Sequence, residues 1–359
     1  MAIARTKSLS SGLLRKLDRL YEQAPVLKLG AGDKLAVFSD LHLGNGGRND
    51  DFARNARLYV DALEKYYAPQ GFILALNGDI EELARFRLVS IVRHWGEVYR
   101  LWRVFADRGA LFKLAGNHDL ALLFRRPADL PFPVGEALRV EIGAKRLWLF
   151  HGHQTSRLNW AFQTLGTVLL RWLLHPLGIG NYTVAHSSRR RFNVERRAYL
   201  HARARRMAAC IGHTHRPLFE SLPRLDSVKM EIENLIRRYP GAAPQEKAGL
   251  EGKLAVLGAE HAELQRNEPR PRGESLYHDG PLLPCLFNSG CGIGRHGVTA
   301  LEFDSRRARL VYWFDRRRSR KYLEADGYAP QQLGSGDHYR VVLKEEDLDY
   351  IFTRIQLLG

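Results

Sequence analysis

Short apolar runs, each closing on a polar cluster, set the rhythm of the N-terminal part of the chain. They read KLAVFSD (34–40), GFILALNGD (71–79), ALFKLAGNHD (110–119) and RLWLFHGH (146–153). Runs of this length bounded by glycine and polar residues predict buried strands. Between them, Asp50–Tyr67 and Glu82–Ala106 carry apolar residues at helical spacing. Strands alternating with helices predict an α/β fold, with ligands outside the carboxyl ends of the strands.

The rhythm breaks at about Gln154. The stretch to Arg206 begins Trp- and Leu-rich (NWAFQTLGTVLLRWLLHPLGIG) and ends in an arginine cluster. A further strand is expected at MAACIGHTH (207–215), then a mostly helical stretch from Arg224 to Asp279 with a break at YPGAAP (239–244). The tail returns to β character at LPCLFNSG (283–290), GVTALEFD (297–304) and ARLVYWFD (308–315), with Asp304-Ser305 turning a hairpin. Glu345–Leu358 is expected as a closing helix.

Composition narrows the class. At 359 residues the length prior is about two domains, and 45% hydrophobic residues can build a real core. Three cysteines without a CxxC pair argue against a disulfide framework and for a reducing, cytoplasmic compartment. The N-terminus has no continuous apolar core of a secretory signal, and no apolar run is long enough to span a membrane. Lysine and arginine number 55 against 39 acids, a formal charge of +16. Such a surplus favours an anionic partner: a phosphorylated substrate, an acidic membrane face met peripherally from the inside, or, ranked lower, nucleic acid. No protein partner is evident.

The polar residues at the strand ends are Asp40-Leu41-His42, Gly78-Asp79, Gly116-Asn117-His118-Asp119, His151-Gly152-His153 and Gly212-His213-Thr214-His215. All the side chains that could act are Asp, Asn or His, a donor set that suits Mn, Fe or Zn. The absence of cysteine disfavours a structural zinc site. On an extended strand end, Asp40 and His42 would point to one side and grip one ion, whereas His213 and His215 could each serve a different ion. The glycines at 78, 116, 152 and 212 allow tight turns and close backbone approach.

With these five clusters in this order, the chain resembles the calcineurin-like metallophosphoesterases, whose pattern runs DxH, GD, GNH(D/E), GH and GHxH. The resemblance covers roughly 34–153 and 207–315. It implies a four-layer α/β/β/α sandwich with helical insertions at 154–206, a basic lid, and at 224–279. An N-terminal helical extension (1–33) and a C-terminal closing segment (316–359) flank that core. It also implies two divalent metal ions, Mn being the first choice and Fe or Zn the alternatives. By motif position Asp40, His42 and His215 would bind the first ion and Asn117, His151 and His213 the second, with Asp79 bridging. His118 would act beside the metals as proton donor or phosphate contact, with Asp119 orienting its ring or capping the next helix.

Such a site would hydrolyse a phosphoester or pyrophosphate bond through a metal-bound hydroxide. His153 and the lid residues Arg189, Arg190 and Arg191 are the candidate substrate contacts, guanidinium groups being bidentate phosphate ligands. An apolar wall beside an arginine-rich one is similar to the UDP-2,3-diacylglucosamine pyrophosphatases. Those enzymes commonly carry Arg where His118 stands here, and the second insertion has no counterpart in them. The GDxHG and GDxxDRG patterns of protein Ser/Thr phosphatases are missing. A nuclease and a catalytically silent scaffold remain the alternatives.

Overall fold

The computed structural model describes residues 9–156, 188–267, 283–325 and 327–359. The apolar half of the expected lid (159–180) lies outside the described residues, as does the exit of the second insertion.

In chain order the strands are β1 (Val26–Leu29), β2 (Leu35–Phe38), β3 (Ile73–Asn77), β4 (Leu111–Leu114), β5 (Ala137–Ile142), β6 (Lys145–Phe150) and β7 (Ala208–Ile211). There follow β8 (Leu218–Phe219), β9 (Leu222–Pro223), β10 (Leu286–Asn288), β11 (Gly297–Phe303), β12 (Arg307–Asp315), β13 (Gln331–Gln332) and β14 (His338–Asp347). They form two seven-stranded sheets, ordered β1-β5-β6-β7-β10-β8-β9 and β13-β14-β12-β11-β2-β3-β4. Each sheet is mixed but holds one parallel triplet: β6, β7 and β10 in the first, β2, β3 and β4 in the second.

Side-chain alternation on β2 shows the layering. All four of its residues are buried. Leu35 and Val37 join the core shared with the first sheet, while Ala36 and Phe38 join the core under the helices of the second. The same parity separates Leu301 and Phe303 from Val298 and Ala300 on β11. A strand buried on both faces reads as a continuous apolar run, which is how LAVF reads. Helix α1 (Ser11–Gln23) buries Leu13, Leu17 and Tyr21, spaced four apart on one face, against the first sheet. The helices Ser188–Ala204 and Leu348–Leu358 add Val194, Ala198, Ile351 and Ile355 to that layer. On the far side, α2 (Ala56–Ala62) and the helix Gly96–Ala106 bury Tyr59, Trp102 and Phe105 against the second sheet. The result is an α/β/β/α arrangement.

Several elements depart from expectation. Asp50–Tyr67 is helical only from Ala56, because the Asp50 carboxylate accepts from the Gly46 and Phe52 amides (2.7 and 3.0 Å) and holds the preceding residues in turns. The Glu82–Ala106 helix starts at Leu88 and breaks at Trp95. Three strands, β1, β13 and β14, lie outside the 34–315 span: β1 pairs β5, β14 pairs β12, and β13 adds a short strand at the edge beyond β14. The tail is therefore strand to Asp347 and helix only beyond it, with Asp347 capping the Asp349 and Tyr350 amides. In the second insertion, helices Arg224–Arg238 and Pro244–Asn267 pack together across a turn at Tyr239–Gly241.

Candidate metal centre

The ends of the two parallel triplets meet on one rim, and the site lies between the sheets. Asp40 and Asp79 follow β2 and β3 of the second sheet, and Asn117 follows β4. His151, His213 and His215 follow β6 and β7 of the first. Asn77 ties the two together: its Nδ2 donates to the Phe150 carbonyl (3.2 Å) and the Cys210 carbonyl (3.3 Å). The His213 amide donates to the Asp40 carboxylate at 3.0 Å.

The DxH and GHxH turns are not extended, contrary to the expectation from strand alternation. Asp40, His42, Asp79, His213 and His215 all have positive φ, between 50 and 65°. Non-glycine residues in the left-handed region are uncommon, and each costs roughly 1 kcal/mol or more. Five such residues in one site mean that the surrounding structure holds the backbone there. Gly116 and Gly212 allow the close approach this needs. A Cβ on Gly116 would collide with the Asp79 carboxylate, and one on Gly212 with that of Asp40.

Three groups of donor atoms converge: Asp40 with His42 and His215; Asp79 with His151 and His213; and His42 with Asp79 and His118. His42 Nε2 and His215 Nε2 face each other at 3.2 Å, and His215 Nε2 lies 3.2 Å from Asp40 Oδ1. His151 Nε2 lies 3.1 Å from Asp79 Oδ2 and 4.0 Å from Asp40 Oδ1. Partners outside the cage select the tautomers. His42 Nδ1 donates to Glu82 Oε2 (3.0 Å) and His151 Nδ1 to the Asn77 carbonyl (2.9 Å), which leaves both Nε2 atoms as lone-pair donors.

The residues fit bound cations. Asn117 Oδ1 and His151 Nε2 are buried without a hydrogen-bond partner. The Asp40 and Asp79 carboxylates are almost wholly inaccessible, and buried charges need compensation. Without a cation, protons on the rings supply the positive charge that the carboxylates need, and a cation would displace them. Burial opposes charge on Asp79, yet the facing His151 and His118 rings hold its carboxyl well below the usual range. Against its own burial, His151 is pushed up to about 10 by Asp79 and Asp40. His213 falls to about 3 through burial and the neighbouring His151.

His118 stands at the edge of the cage. Its amide donates to Asp79 Oδ1 (2.7 Å) and its Nδ1 bonds Glu82 Oε1 (2.8 Å). Despite burial, Asp79 and Glu82 push this ring up to about 9. Asp119 does not orient the ring, which corrects the expectation. Its carboxylate turns into the loops and accepts from the Ile80 and Gly116 amides (2.7 and 2.6 Å). Glu82 is the functional residue that sequence reasoning missed; its only signal is a carboxylate three positions after Asp79 in NGDIEEL.

The candidate substrate contacts fare differently. His153 packs at 5.5 Å from the His151 ring, is 2% exposed, and neither of its ring nitrogens has a hydrogen-bond partner. It belongs to none of the three donor groups. Arg189–Arg191 occupy the first turn of the helix Ser188–Ala204; Arg190 is exposed and Arg191 half-buried. That helix meets the site further along, through buried Glu195, which accepts from Thr214 Oγ1 (2.8 Å) and pairs with Arg216. Asn288 braces the same turn by donating to the Gly212 carbonyl (2.9 Å).

No family model and no curated protein matches the chain. Among solved structures, a conserved uncharacterized protein from Streptococcus pneumoniae TIGR4, described as a predicted phosphoesterase, matches at 13% identity with a TM-score of 0.31. The match covers 88% of this chain and 97% of that chain. The functional reading rests on the side chains themselves: an α/β/β/α protein with a buried cage of Asp and His side chains that could hold metal ions.

Proposed function

We propose that the protein is a metal-dependent phosphohydrolase acting on an anionic phosphoester or pyrophosphate, nucleotide- or lipid-linked, with two divalent cations, Mn, Fe or Zn, as cofactors. Asp40, His42 and His215 would hold one, Asn117, His151 and His213 the other, and Asp79 would serve both. Bound there, such ions would supply the acidification of a water and the neutralisation of charge on a phosphoryl group.

The chain's own residues do the rest. Glu82 accepts from both His42 Nδ1 and His118 Nδ1, so it orients a ligand and an acid together. With Nδ1 engaged, His118 has Nε2 left to give a proton to the leaving oxygen or to bind a phosphoryl oxygen. Asn117 is a neutral donor and adds no charge to repel an anionic substrate. A formal charge of +16 favours such a substrate's approach.

The observation that carries this reading is the place of Asp79, whose carboxylate joins His151 and His213 of the first sheet in one donor group and His42 and His118 of its own sheet in another. A Mn-supplemented screen over p-nitrophenyl phosphate, its bis-ester, nucleotides, UDP-sugars and phospholipids tests it. Hydrolysis that is lost in Asp79→Ala is the expected result. A protein that retains its metals and cleaves none of these would instead be a scaffold.

A further inference from the structure

Beside the metal rim lies a second concavity. Helix α1 lends it Gly12, Arg15, Lys16, Arg19, Leu20 and Gln23, and Glu136 and Gln154 form the opposite wall. Its volume is about 510 Å³, the size of a small-molecule site.

Its charge is unusual in being unspent. The acids of α1 are committed elsewhere: Asp18 to His201 and Arg205, Glu22 to Arg205. Arg15, Lys16 and Arg19 form no ion pair with any described residue. Lys16 is half-buried, and desolvation holds its ammonium below the usual range although Glu136 pulls the other way. Across the cavity, Glu136 Oε1 is buried with no hydrogen-bond partner. Gln154 fixes that wall, accepting from the Gly152 amide (3.0 Å) and donating to the Glu136 carbonyl (3.2 Å). Three cations without an ion pair call for an anion, and the half-buried Glu136 carboxylate on the cavity wall can accept from a hydroxyl.

We propose that this cavity binds a phosphorylated polyol, its phosphoryl group among Arg15, Lys16 and Arg19 and one hydroxyl donating to the Glu136 carboxylate. A sugar phosphate and the headgroup of a phosphoglycerol lipid share that chemistry. No donor of the metal cage lines the cavity, so the proposal goes beyond the phosphohydrolase reading and does not fall with it.

The test is calorimetric titration of the full chain, Mn-loaded and after chelation, with the non-hydrolysable phosphonate analogue of glucose 6-phosphate. Binding should survive chelation and weaken at least about tenfold in Arg15→Gln/Arg19→Gln, because charge-assisted hydrogen bonds to the anion are lost. Both arginines are exposed, and an unchanged Tm would show that the variant is folded. Glu136→Gln should abolish the preference for the analogue over inorganic phosphate. Flotation with phosphatidylglycerol vesicles separates the two sources: capture sensitive to the arginine pair, without binding of the soluble analogue, assigns a lipid headgroup. Absence of both kinds of binding, binding unchanged by the arginine pair, or binding that vanishes on chelation overturns the proposal.

Discussion

Glu82 Oε1 lies 2.8 Å from His118 Nδ1, so the ring that faces the cage is held by a carboxylate from the β3 loop and not by its neighbour in sequence, Asp119. The other oxygen of Glu82 takes His42 Nδ1 at 3.0 Å. Glu82→Gln is therefore expected to lower kcat and metal affinity together, by about 10–100-fold each, the usual cost of losing a partner behind a metal ligand. Steady-state kinetics with metal analysis checks this. Loss of kcat with full metal retention would confine the role of Glu82 to His118.

Asp119→Asn should behave differently. Its carboxylate closes the Ile80 and Gly116 amides, and an asparagine oxygen can satisfy one of these but not both. The expected outcome is a fall in Tm with little change in kcat per metal-loaded molecule. A selective loss of kcat at unchanged Tm would return Asp119 to the chemistry.

Asp79→Ala and His213→Ala each remove a donor from the cage. Hydrolysis should disappear and bound metal should drop, measured on protein whose circular dichroism is unchanged. Normal turnover in either variant would reject the site.

Metal removal should lower Tm in the wild type, because a cation bound by the folded chain and not by the unfolded one stabilises the fold, and chelation removes that contribution. A cation at a hundred times its Kd contributes about 2.7 kcal/mol. Differential scanning fluorimetry with chelator, then with added Mn, gives the answer; a Tm indifferent to both would exclude cation binding at this depth.

The acid limb of stability should pass through Asp18. Its burial raises the carboxyl, but hydrogen bonds from His201 and Arg205 outweigh that and hold it below the usual range. A carboxyl depressed in the folded state stabilises above its unfolded value of about 3.9 and loses that contribution as pH falls through the folded value. Asp18→Asn should thus be less stable than wild type at pH 7, and the gap should close in strong acid. Urea midpoints across that range measure it.

The sequence made much of this legible where chemistry and pattern coincide. The apolar runs ending in Asp79, Asn117 or His151 are buried strands that end at a rim, so the runs located the strands and their polar ends located the cage. What stayed hidden depends on contacts remote in sequence. The left-handed turns at Asp40 and His213 carry no local signal: the Asp40 amide bonds the Gly78 carbonyl and the His213 amide the Asp40 carboxylate, both remote in sequence. Strand β14 reads HYRVVLKEED, half polar because much of it lies along an edge. Glu82 is one carboxylate among several after β3, and only the folded chain shows which of them meets His118.

The division of donors between two stacked sheets has a last consequence. Neighbouring residues along a strand are about 3.3 Å apart, so a slip of one sheet over the other by a single step would carry His151 and His213 away from Asp79. Cation occupancy then gauges the alignment of the whole sandwich, and a lesion far out on either sheet can silence the centre without touching any of its ligands.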